Sequence, residues 1–102
     1  MKQTDKSADG TSFHNHTFTA TVDDLRNVLG QPKFESNDGQ DKVNFDWILE
    51  TEDGEPFTVY DWKEYHPLAE DEVIEWHIGG RSGADTEKAL LEIREALMAY
   101  TL

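Results

Sequence analysis

Several groups of residues in this chain carry side chains or backbone that could do chemistry. Gly79-Gly80-Arg81-Ser82-Gly83 lies between a strand pattern and a helix pattern. Backbone N–H groups of such a loop, with the Arg81 guanidinium, could hold one phosphate or carboxylate. The spacing of Gly79, Gly80 and Gly83 is not the dinucleotide fingerprint, and no Gly-Lys-Ser/Thr follows. The plainer reading is a strand-to-helix turn. His14 and His16 fall on one face of a regular strand and could bind a metal with a neighbouring carboxylate. Their place beside a polar N-terminal stretch makes an edge-strand role the simpler expectation, and no metal or cofactor is expected. Asp46 and Asp61, with Glu50 or Glu75 nearby, could hold a divalent cation through oxygen ligands, or form a solvated, salt-screened face. There is no cysteine, which removes thiolate chemistry and disulfides. No serine, histidine and carboxylate motif is present, so the chain is expected not to be an enzyme.

Aromatic and ionisable residues interleave in Tyr60-Asp61-Trp62-Lys63-Glu64-Tyr65-His66 and again in Glu75-Trp76-His77. In a cleft they could stack a base, with Trp62 or Trp76 as the platform. The alternative is a core with a polar rim, Tyr60 and Trp62 pointing inward.

The elements that would position these groups follow from periodicity. Met1–Ser12 is polar and reads as a flexible tail, leaving residues 13–102 as one domain. Phe13–Thr21 reads as a strand with Phe18 and Ala20 on one face. Thr21 or Asp23 can cap a helix to Leu29 with Val22, Leu25 and Leu29 as its stripe. Gly30 and Pro32 end it. In Lys42–Thr51, Val43, Phe45, Trp47 and Leu49 alternate with polar residues. Asp53-Gly54 predicts a hairpin returning through Phe57–Glu64. A two-residue turn would set Trp47 opposite Tyr60, Phe45 opposite Trp62 and Asp46 opposite Asp61. A three-residue loop would shift the register and bury Asp61, which argues against it. Val73–Ile78 is a strand with Ile74, Trp76 and Ile78 inward. Asp85 or Thr86 caps a final helix to about Ala99. The expected fold is α+β, in the order β-α-β-β-β-α, with a four-stranded, mainly antiparallel sheet and both helices on one face.

Charge narrows the partners. Glu35–Glu75 holds fourteen acids against two bases, a charge of −12, out of −13 for the whole chain. Such a surface repels nucleic acid and anionic membrane and attracts basic protein surfaces or cations. No apolar run is long enough to span a bilayer. On the expected register, Ile48, Val59 and Phe57 form an outer apolar patch ringed by Asp46, Glu50, Asp61 and Glu75, the anatomy of a protein interface. A homodimer contact would use the same patch.

At Phe57-Thr-Val-Tyr-Asp-Trp-Lys-Glu-Tyr65 and Glu75-Trp-His-Ile-Gly-Gly80, within roughly Val43 to Leu97, the chain resembles small uncharacterised proteins encoded by bacteriophages. The resemblance implies an accessory protein in a bacterial cytoplasm that inhibits or sequesters a host factor, including defence proteins. The leading expectation is an acidic, nucleic-acid-mimicking surface that binds a basic host protein. Asp46, Glu50, Glu52, Asp53, Asp61 and Glu75 would supply its charge, with Ile48 and Val59 as its apolar anchor. The alternative is sequestration of a small phosphorylated ligand, such as a nucleotide signal, by Gly79, Gly80, Arg81 and Gly83 with Trp62 or Trp76.

Overall fold

A computed structural model of the chain describes residues 1–101. The strands are β1 (Lys2–Gln3), β2 (Ser12–Ala20), β3 (Phe34–Glu35), β4 (Phe45–Glu50), β5 (Pro56–Tyr60) and β6 (Ile74–Gly80), and the helices are α1 (Val22–Leu29) and α2 (Gly83–Thr101). The fold is α+β. All strand pairs are antiparallel, in the order β1-β4-β5-β6-β2, with β3 also paired to β4. The sheet therefore has six strands rather than four. The two additions are two-residue strands on the free edge of β4, too short to leave a periodic signal in the sequence. One of them lies in Met1–Ser12. That segment is not a free tail: Lys2 and Gln3 pair with Glu50 and Leu49, and Lys6 Nζ donates to Glu50 Oε2 and to the Gly54 carbonyl.

The inner face of the sheet carries Phe45, Trp47, Leu49, Phe57, Val59, Trp76 and Ile78, all at most 1% exposed. Both helices join the same hydrophobic cluster, α1 through Val22, Leu25 and Leu29 and α2 through Ala89, Leu90 and Ile93. The two buried indoles meet edge to face at 5.6 Å, an arrangement aromatic quadrupoles favour. Each buried N–H finds a carbonyl: Trp47 Nε1 donates to Gly30 and Trp76 Nε1 to Ala20. Of the two expected caps, Thr21 rather than Asp23 closes the start of α1, in a capping box with Asp24. The helix α2 begins earlier than expected. Ser82, rather than Asp85 or Thr86, accepts from the Asp85 N–H through its hydroxyl and from the Thr86 N–H through its carbonyl. Thr86 is instead a fully buried residue of the helix, and its hydroxyl meets His16 Nδ1 at 2.6 Å.

The hairpin register differs from the expected one by a single residue. Trp47 pairs with Val59, Ile48 with Thr58 and Asp46 with Tyr60. Thr51 N–H donates to the Glu55 carbonyl across a loop of three residues, and Gly54 sits at φ +85°. This is the three-residue hairpin turn with glycine at its left-handed position. The consequence is the one that argued against it: Val59 and Phe57 turn into the core and Asp61 is buried at 0% exposure.

Candidate functional site: the outer sheet face and its laced loops

Asp61 tolerates burial because its carboxylate is surrounded by donors. Oδ1 accepts from the backbone N–H groups of Asn44 and Phe45 at 2.8 and 2.9 Å, and Oδ2 from Asn44 Nδ2 at 3.0 Å. Charge-assisted bonds of this kind offset desolvation. Asn44, itself buried, also donates to the His66 carbonyl and accepts from the Gly39 N–H. Asn37 exchanges two bonds with the backbone of Leu68. Together these tie the loop before β4 to the long loop after β5. The laced loop holds Lys63 and Tyr65 at positive φ, which costs on the order of 1 kcal/mol for each residue with a side chain. It presents Trp62 and Tyr65 to solvent, 40% and 54% exposed. Lys42 and Lys63 place their ammonium groups 5.8 and 5.5 Å from the Trp62 ring centre, within cation–π range.

From Trp62 an aromatic row crosses the outer face of the sheet. Tyr60 meets Trp62 edge-on at 6.2 Å, His77 lies 5.7 Å from Tyr60, and Phe13 stacks on His77 at 4.5 Å. The row exists because antiparallel pairing brings residues from three distant segments side by side: Tyr60 is opposite His77, and Phe13 is opposite Gly79. Between Phe13 and Thr17 the pairing of β2 is irregular, with Asn15 at φ 67°. This is a bulge that re-aims the strand.

Asp46 borders the row on β4, opposite Tyr60. Its setting contrasts with that of Asp61. It is half-buried, its Oδ1 is occluded, and among the described residues no donor reaches that oxygen. Burial, then the nearby Asp61 charge, push its carboxyl up to about 6. Burial, with the Asp46 charge behind it, also raises the Tyr60 phenol. A cavity of about 280 Å³ opens beside Asp46, walled by Ala8, Thr11 and Ser12 of the N-terminal segment and by Val43, Thr58 and Tyr60, with Gly79 among its lining residues. Gly79 has a steric reason: a Cβ there would lie 2.6 Å from Thr58 Oγ1.

The remaining candidates disperse. Ile48 is half-buried. Glu50 pairs with Lys6, whose hydrogen bond holds its carboxyl below the usual range. Asp53 pairs with Lys88. Glu52 and Glu75 are exposed, and Glu75 accepts from the Thr17 hydroxyl. Val59 and Asp61 lie in the interior, so neither belongs to an outer patch, and Phe57 is absent from it for the same reason.

Among the phosphate candidates, Gly79 and Gly80 are strand residues rather than loop, and a Cβ on Gly80 would strike Thr86 at 2.6 Å. Arg81 reaches the Ser7 carbonyl, Gly83 opens α2, and Trp76 is sealed in the core. Trp62 is the one aromatic of that set on the surface. His14 approaches Ser12 and the Gly80 carbonyl while His16 faces Thr86. Among the described residues no group of three or more His, Asp or Glu side chains is arranged to hold a metal ion, and no helix is long and apolar enough to cross a membrane. Sequence reasoning missed the row itself. Its signal was the pairing register, which no single segment carries. No family model, curated protein or solved structure matches the chain.

Proposed function

We propose that this chain is a small non-catalytic binding module that docks a basic protein partner on the outer face of its sheet. The observation that carries this reading is the row Phe13, His77, Tyr60 and Trp62 on a solvent face of a chain with net charge −13. Rigid aromatic side chains on the surface of a strongly acidic chain match the aromatic enrichment of interaction hot spots. The charge steers a basic partner and the rings supply contact area. The phage-protein resemblance supports a bacterial host protein as that partner.

Strict mimicry of a phosphate backbone fits less well. Glu50 and Asp53 are paired internally with lysines, Glu35 and Glu70 with Arg26, and Asp61 is buried. A small phosphorylated ligand at Gly79–Gly83 is also disfavoured, because Asp85 occupies the first turn of α2 with a charge of the wrong sign.

A photo-reactive residue in place of Phe13 is expected to capture a discrete partner from bacterial lysate, and Trp62→Ala should abolish that capture. The same group in place of Met98, exposed on α2, should capture nothing comparable. Equal capture from both positions, or capture indifferent to Trp62→Ala, would overturn the reading.

A further inference from the structure

Asp46 and the cavity beside it call for an explanation that docking alone does not supply. A half-buried carboxylate without a donor on one oxygen is costly, and proteins normally pair or hydrogen-bond such groups. Here the surroundings do the opposite. Among the described residues no basic side chain lines the cavity; its walls are Ala8, Thr11, Ser12, Val43, Thr58 and Tyr60, with Gly79. The two lysines of the acidic window lie against Trp62 instead. The titratable groups bearing on Asp46 are Asp61 and Tyr60, with His77 beyond Tyr60, and the Asp61 charge adds repulsion. The cavity is thus bordered by a carboxylate with one occluded, unpartnered oxygen, by a tyrosine ring and by three hydroxyl side chains (Thr11, Ser12 and Thr58), in a space of about 280 Å³ that admits one long side chain.

We infer that this cavity is a binding site for an organic cation, an ammonium or guanidinium group on a short apolar stem, neutralised by Asp46. The cation would supply the charge that the protein withholds from Asp46. The stem would pack against Val43, Ala8 and the Tyr60 ring, and aromatic faces favour cations over neutral groups of the same shape. Thr58 and Thr11 hydroxyls can accept the remaining N–H bonds. Glycine at position 79 keeps the adjoining sheet surface free of a side chain. The N-terminal segment contributes Ala8, Thr11 and Ser12 to the wall, which gives its pairing along β4 and its Lys6 anchor a role in shaping the site. The site stands whether or not the outer face docks a protein.

The test follows the Asp46 side-chain carboxyl by carbon NMR while n-butylammonium, methylguanidinium and neutral n-butanol are titrated into the protein. Saturable shifts are expected with the cations and none with butanol. Saturating cation should return the Asp46 titration toward the ordinary carboxylate range, because binding favours the ionised form. Asp46→Asn should weaken cation binding at least tenfold, read from the Tyr60 ring resonances. Nα-acetyl-lysine methylamide separates the two sources of such a group. Binding comparable to butylammonium assigns the site to a partner's side chain, and its exclusion beside retained butylammonium binding assigns it to a free amine. Butanol binding as well as the cations, undiminished binding to Asp46→Asn, or no saturable response at Asp46 would overturn the inference.

Discussion

Asp46 lies on β4 and Asp61 directly follows β5, and both lose water on folding, yet the protein treats them in opposite ways. Asp61 is fully buried and receives three hydrogen bonds, two of them from backbone N–H groups. Asp46 is only half-buried, has one oxygen that receives none, and borders a cavity. Burial depth therefore does not tell how well an acid is satisfied. The count of donors does. Asp61 fixes the register of the hairpin and the lacing of two loops. Among the described residues the Asp46 side chain makes no comparable bond, and its setting disfavours its ionised form, which is consistent with the proposed cation site.

The sharpest way to break this contrast is to remove the Asp61 carboxylate. Asp61→Ala would leave the N–H groups of Asn44 and Phe45 and the Asn44 amide without their acceptor in a buried site. The expected loss is about 3–5 kcal/mol, read as a lower urea midpoint at pH 7. A loss under about 1 kcal/mol would mean that the lacing is not what holds the loops.

A smaller effect is expected at an acid that is paired at the surface. His66 Nε2 and Glu72 Oε2 lie 2.7 Å apart. The Glu72 hydrogen bond, with help from the Glu64 carbonyl, raises the His66 imidazole above its ordinary range, while His66 lowers Glu72. The stabilisation linked to His66 is present below its unfolded pKa and disappears as pH rises through the folded one. Glu72→Gln should bring the His66 titration down toward 6.5, seen in its ring proton shifts, with little change in thermal midpoint because the pair is exposed. An unchanged His66 titration would show that Glu72 is not its partner in solution.

The same contrast explains how much could be read from the sequence. The start of α1 was legible because Thr21, one of the two expected caps, and the Val22, Leu25, Leu29 stripe are all local. The inward set Ile74, Trp76 and Ile78 was legible because alternation is local too. The hairpin register was not. Asp53-Gly54 suits a two-residue and a three-residue turn alike, and the choice rests on whether Asp61 can be buried. That depends on donors from Asn44 and Phe45, on the facing strand. The acids of the proposed interface were legible as charge, but only the pairing register shows which face each residue takes. The aromatic row was illegible for the same reason, since Phe13, Tyr60 and His77 lie on three strands.

The most direct test of the central claim is the stability of Asp46→Asn against the parent chain as a function of pH. The folded state raises Asp46 from 3.8 to about 6, so its ionisation opposes folding. This penalty is absent below the unfolded pKa, grows between 3.8 and 6 and is complete above, amounting to about 2–3 kcal/mol before solvent screening reduces it. Asp46→Asn is therefore predicted to raise the urea midpoint at pH 7.5, by about 1–2 kcal/mol after screening, with the gain shrinking as the pH is lowered toward 4. A variant less stable than the parent at pH 7.5 would contradict the account, for it would show that Asp46, like Asp61, is an acid on which the fold depends.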